Sequence, residues 1–255
     1  MNTVSSQPGR VSANHDPQLP NPDLFAEKLL GRLNVNKPPV PLSMLVSIWK
    51  ELSVVEEELD GAGYLLPLGK LGAEIIVNKN DGDERKKFTV AHELGHWVLG
   101  LALQKKRGEF RQPHRVTRAA LEKWCDAFAA SILMPPSLVV AGLPPRDSPY
   151  LVDGILDASK KFGVSREAFF IRVWELLKIQ VAMLKLGMPV AVRRSYSDKE
   201  GERELVRLLG ASVVREQLES TSPVIAFALR TSCGRVFVSG KRAARDITLC
   251  VAWPT

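Results

Sequence analysis

The 255-residue chain predicts an α+β fold, mostly helical, with a small antiparallel sheet in its first half and a separate small α+β module at its end. Two stretches, one around Arg85–Leu99 and one over Ala119–Leu133, repeat their apolar residues at the spacing of a helix face. Three short apolar runs between them and the N-terminus, Val54-Val55-Glu56, Gly63-Tyr64-Leu65-Leu66 and Ala73–Asn78, are separated by glycines, as strands of a small sheet are. From Pro189 onward the pattern changes again, to a charged helical stretch followed by three strand-like runs.

Composition bounds the class. Hydrophobic residues make up 45% and charged residues 25%, the usual balance of a globular protein with a core of its own. No apolar run reaches the length that crosses a bilayer, and Met1–Pro20 lacks the apolar centre of a secretory signal. The cysteines, Cys125, Cys233 and Cys250, are odd in number and far apart. That predicts free thiols in a reducing compartment, hence the cytoplasm. The net charge of +7 is concentrated in Lys105, Lys106, Arg107, Arg111, Arg115 and Arg118. Only Phe110 is interleaved among them, so the block is expected to be a solvated loop and not a base-stacking surface.

In chain order, residues 1–21 are polar and expected to be disordered. Pro22-Asp23 opens a helix that ends near Gly31. Lys37-Pro38-Pro39-Val40-Pro41 is a stiff connector to a second helix over Leu42–Leu52. After the three strands, Asn80-Asp81-Gly82-Asp83 is a turn into the next helix.

That helix carries His92-Glu93-Leu94-Gly95-His96. Residues four apart share a helix face, so both imidazoles can reach one Zn²⁺. Glu93 is rotated by about 100° from His92 and is placed to act as a general base on water. Phe88, Val90, Ala91, Leu94, Trp97, Val98 and Leu99 make the helix a buried one, where idle imidazoles and a carboxylate would be costly. A catalytic zinc needs a third protein ligand. Glu122, near the start of the Ala119–Leu133 helix, is the favoured candidate; His114, on the arginine-flanked loop, is the rival. Asp126, one turn beyond Glu122, is expected to accept the second ring N–H of a ligand histidine. Met134-Pro135-Pro136 stops the helix.

Two separated motifs now agree in type and order. Arg85-x-x-Phe88-Thr89-x-Ala91-His92-Glu93-x-Gly95-His96 is followed by Glu122-x-x-x-Asp126-x-Phe128-Ala129-Ala130-x-x-Leu133-Met134-Pro135. Together they resemble the ImmA/IrrE family of metallopeptidases over about residues 22–140. The resemblance implies a zincin-like domain with His92, His96 and Glu122 as metal ligands and Glu93 as catalytic acid/base. It implies Zn²⁺, with Mn²⁺ as the alternative, and a cytoplasmic enzyme that cuts a helix-turn-helix repressor of a stress-response or mobile-element regulon. One departure is Cys125-Asp126, where the family usually has Ala-Asn.

The resulting domain reading places a metallopeptidase domain at 22–148, a helix-turn-helix-like segment at 149–187 and a C-terminal module at 188–255. The segment is two helices, Leu151–Phe162 and Ser165–Ile179, joined at Gly163-Val164. The second is apolar almost all round and offers only Arg166, Arg172 and Lys178 to a groove, so a docking or scaffold helix is favoured over a DNA reader. The module comprises a helical stretch, Asp198–Ser220, and a three-strand meander over 224–229, 235–238 and 247–253. By the resemblance it stands where radiation-response members carry a GAF-like sensor. The competing function is a zinc-containing regulator that works by binding a repressor or DNA. Tyr64, His114 and Arg85 are the candidates to stabilise an oxyanion.

Overall fold

A computed structural model describes residues 19–104, 116–185, 191–196, 199–209, 224–231, 234–243 and 246–252. The basic block from Lys105 to Arg115, and His114 with it, lies outside the described residues, as do residues 1–18.

Helix α1 (Pro22–Arg32) begins where Asn21 accepts a hydrogen bond from the Leu24 N–H at 3.1 Å, with proline in the first turn. The fold starts before it. Leu19 is buried, and Trp124 Nε1 donates to the Pro20 carbonyl at 2.6 Å, so residues 19–21 belong to the packed structure and not to a disordered terminus. Helix α2 is only Leu42–Val46, half the length expected, because the chain turns at Ser47–Trp49 to enter β1 (Leu52–Glu57). Strands β2 (Gly63–Pro67) and β3 (Ala73–Asn78) complete a sheet of order β1-β3-β2.

The sheet corrects an expectation. It is mixed: β3 pairs antiparallel with β2 but parallel with β1. Strand β3 holds the most apolar run, Ala-Glu-Ile-Ile-Val-Asn, and takes the buried central place, which forces β1 and β2 to its two sides. Gly63 explains how closely β2 rides on the next helix. A Cβ there would meet the Ile76 carbonyl oxygen at 2.4 Å and Thr89 Cγ2 at 2.6 Å. Only glycine permits that approach.

Helices α3 (Asp83–Gln104) and α4 (Arg118–Leu133) form the centre of the core. Thr117 caps α4 by accepting from the Ala120 N–H at 3.2 Å. Phe25 of α1 stands edge-on to Trp124 and Phe128, which stack at 5.2 Å with their planes 8° apart. The helices α3 and α4 cross at Gly95. A Cβ there would lie 3.1 Å from Phe128 Cδ1 and 3.3 Å from Cys125 Cα, a backbone atom that moves only with its helix. Gly95→Ala is therefore expected to destabilise the chain by about 1–2 kcal/mol in denaturant titration, overpacking outweighing the helix-propensity gain of about 1 kcal/mol.

After the short helix α5 (Pro136–Gly142), α6 (Leu151–Phe162) ends at Gly163, whose φ of 65° is the left-handed cap. Ser165 caps α7 (Arg166–Leu177) by accepting from Ala168 N–H at 3.1 Å. Helix α7 stops at Lys178, also left-handed, and Ile179 already begins a strand. So the C-terminal sheet starts earlier than the expected boundary at 188. Strands β4 (Ile179–Lys185) and β5 (Ala191–Tyr196) precede α8 (Lys199–Leu209), followed by β6 (Val224–Thr231), β7 (Gly234–Ala243) and β8 (Asp246–Ala252). All five pair antiparallel in the order β5-β4-β8-β7-β6, and the expected meander is its β6–β8 half. Ile179 and Val181 join the core formed with α6 and α7, and Lys241 of β7 pairs with Asp153 of α6.

Candidate metal centre

The helical repeat of α3 turns His92 and His96 to one side, and their Nε2 atoms lie 3.2 Å apart. The crossing at Gly95 brings α4 against that side. Glu122 Oε2 is thereby 3.2 Å from His92 Nε2 and 3.6 Å from His96 Nε2. Asp126, one turn further along α4, accepts a hydrogen bond from His92 Nδ1–H at 2.8 Å. With its proton on Nδ1, His92 presents a bare lone pair at Nε2.

The donor set fits a divalent metal on its own chemistry. Two ring nitrogens and a carboxylate oxygen converge from two rigid helices. Four ligands at about 2.0–2.1 Å around a tetrahedral ion stand about 3.3 Å from one another, close to the three separations found. Without a cation or shared protons, those lone pairs would oppose each other. Of the two carboxylates expected on α4, Glu122 faces both imidazoles and Asp126 faces the back of one. Cys125 is the further candidate donor: one ligand atom each of His92, His96 and Cys125 lie within 4.8 Å of one another. Glu122 Oε2 stands 3.2 and 3.6 Å from the two ring nitrogens, close to the spacing of ligands on one ion, so it makes the better third ligand.

The electrostatics follow from burial and neighbours. Burial lowers the His92 pKa, but the Asp126 hydrogen bond together with the charges of Glu93, Asp126 and Glu122 outweighs it and leaves the net shift upward. His96 is shifted downward, by burial first and by His92 second. Glu93 is only 8% exposed, and that burial raises its carboxyl above the ordinary value, with Glu122 adding to it. His92 and a hydrogen bond from the Leu65 backbone N–H act the other way. Burial pushes the Cys125 thiol far up as well. Both imidazoles must be neutral to hold a metal. Because a proton is retained on His92 to higher pH than usual, metal affinity is expected to begin falling above pH 6.5 as the solution is acidified; equilibrium dialysis at several pH values measures it.

Asp126 is replaceable without touching the first three donors. Asp126→Ala is expected to weaken metal binding by about 10–100-fold, since the partner that orients His92 is lost. Competition with a chromogenic chelator reads this directly.

Leu65 is the site residue that sequence reasoning missed. Its N–H turns to Glu93, away from β3, so this stretch of β2 has its outer edge beside the carboxylate. The only signal in the chain was the short apolar run itself, which names a strand but not its neighbour. Of the candidate oxyanion groups, Arg85 is held by Asp81 at 3.2 Å, Tyr64 is half-exposed on β2, and His114 lies outside the described residues.

Residues 51–173 match the model of the peptidase M78 family, the IrrE N-terminal-like domain. The match begins just before β1 and runs through most of α7. No curated protein matches the chain significantly. Among solved structures, a Mycobacterium tuberculosis transcriptional regulator is similar at 16% identity and a TM-score of 0.49, over 91% of this chain and 75% of that one. Among the described residues no single helix is long and apolar enough to cross a membrane. The segment that brings His92, Glu93, His96, Glu122 and Asp126 together lies within the stretch that matches the peptidase M78, IrrE N-terminal-like domain.

Proposed function

We propose that this chain is a zinc-dependent endopeptidase that cuts a helix-turn-helix, XRE-type transcriptional repressor and so switches on a stress-response or mobile-element regulon. The observation that carries the reading is the convergence of His92 Nε2, His96 Nε2 and Glu122 Oε2 within 3.2–3.6 Å, with a buried carboxylate on the very next residue after His92. His92, His96 and Glu122 hold the ion, and Asp126 orients His92. A bound Zn²⁺ supplies Lewis acidity towards a peptide carbonyl and a lowered water pKa.

The chain's own residues do the rest. Glu93, its pKa raised by burial, takes a proton from the attacking water and delivers it to the leaving nitrogen. The Leu65 N–H keeps that carboxylate aimed. The outer edge of β2, which pairs with no strand among the described residues, offers main-chain groups to an extended segment of substrate, which antiparallel or parallel pairing would lay across Glu93. Exposed Tyr64 and Leu66 give that strand an apolar side-chain surface.

The DNA-reading alternative has little to work with. Of the three basic side chains on or ending α7, Arg172 is turned into the core, and Lys178 lies over the Trp174 ring at 5.3 Å. The test is incubation of the metal-loaded chain with a purified helix-turn-helix repressor, followed by gel and mass analysis. Cleavage at a single site, abolished by a chelator and restored by Zn²⁺, is the expected result. An intact repressor under all loadings sinks the protease reading.

A further inference from the structure

We propose that Cys125 is an alternative metal donor, its thiolate replacing the Glu122 carboxylate so that the same pair of histidines completes a two-histidine, one-cysteine set for thiophilic ions. The inference rests on the reading above that His92 and His96 bind the metal. Its own support is separate. Cys125 is fully buried, a free cysteine, and three residues after Glu122 on the face of α4 that meets α3. Its sulfur lies against the backbone of α3 between the two histidines, 3.3 Å from where a Cβ of Gly95 would stand. Ligand atoms of His92, His96 and Cys125 all fall within 4.8 Å of one another.

The distance to be closed is small. Around a tetrahedral ion, a nitrogen at about 2.0–2.1 Å and a sulfur at about 2.3 Å stand about 3.5 Å apart. Each sulfur–nitrogen distance therefore has to shorten by no more than about 1.3 Å. Glu122 has somewhere to go when displaced, since Arg118 Nε lies 3.8 Å from its other oxygen, Oε1. In the exchange the carboxylate–metal bond breaks and a sulfur–metal bond forms. The S–H bond breaks, its proton leaves to water, and no electrons are transferred. Thiolate is the softer ligand, so the exchange favours Cd²⁺ or Cu⁺ over Mn²⁺.

The test uses the full-length, metal-free chain and Co²⁺ or Cd²⁺ alone, read by absorption. Glu122→Ala is expected to retain Co²⁺ with a strong near-ultraviolet sulfur-to-cobalt charge-transfer band. The Glu122→Ala/Cys125→Ser chain should lose that band and bind Co²⁺ at least ten-fold more weakly. With Cd²⁺, the unaltered chain should show a sulfur-to-cadmium band that Cys125→Ser and Cys125→Ala both lack. The serine variant differs by one atom, and far-ultraviolet circular dichroism checks that it folds. Co²⁺ bound by Glu122→Ala with visible d–d bands but no charge-transfer band overturns the role of Cys125 and leaves the two-histidine site standing. So does a band that persists in Cys125→Ser, which would belong to Cys233 or Cys250. Failure of the unaltered chain to take up either ion overturns this inference and the metal-site reading together.

Discussion

Glu93→Gln is expected to lower repressor cleavage by about 10²–10⁴-fold, the usual contribution of a positioned general base. In free energy that is about 3–5 kcal/mol of lost transition-state stabilisation. The substitution is close to isosteric, and the amide oxygen can still accept the Leu65 N–H that the carboxylate accepts now. Metal content should not change, because the three convergent donors are His92, His96 and Glu122. Cleavage rate and bound zinc measured on one preparation separate the two effects. A Glu93→Gln chain that cuts at an undiminished rate removes Glu93 from the mechanism. Loss of zinc along with activity would make it a ligand instead.

Arg172→Ala is the substitution expected to cost most stability away from the metal. Arg172 is 5% exposed yet lies in a helix that was candidate DNA-reading surface. Its guanidinium donates to the Met134 carbonyl at 3.1 Å, to Asp23 Oδ1 at 2.6 Å and to Ser131 Oγ at 3.4 Å. Ser131 Oγ in turn lies within hydrogen-bond distance of Asp23 and of the Ala127 carbonyl, with one proton to donate between them. One cation thus ties together α1, the end of α4 and α7. Removing a single partner of a buried pair costs about 3–5 kcal/mol when the other charge is stranded. The Asp23 side chain is 37% exposed and partly rehydrates, so about 2–3 kcal/mol is expected here. Denaturant titration of the metal-free chain measures it, and Arg172→Lys should recover part of the loss by keeping the charge without the fork of donors. An unchanged midpoint in Arg172→Ala would show that the network adds nothing to stability.

The same residue shows why part of the fold was hidden in the sequence. Arg172 stands among Phe169, Phe170 and Val173, and a lone arginine in an apolar helix carries no mark of whether it faces water or a carboxylate 149 residues away. Strand β4 was hidden for a related reason. Ile179–Lys185 follows α7 directly, and Ile179, Val181 and Ala182 are all buried, so a short run covered on both faces shows neither helical nor strand periodicity. The orientation of β1 was equally out of reach, since parallel and antiparallel partners of β3 draw on the same apolar residues.

What the chain determined by itself was local. The four-residue spacing of His92 and His96, the offset of Glu93, the proline stop after α4 and the caps at Asn21, Thr117 and Ser165 depend on neighbours within a turn of helix, where backbone geometry is set by covalent connectivity. Only the tertiary structure decided how the candidate side chains stand to one another. Glu122 reaches both imidazoles, Asp126 reaches one, and Leu65 reaches Glu93 because glycines at 95 and 63 let α4 and β2 approach α3 more closely than any side chain would allow. Close packing between distant segments is a property of surfaces meeting in space, and a one-dimensional pattern does not record it.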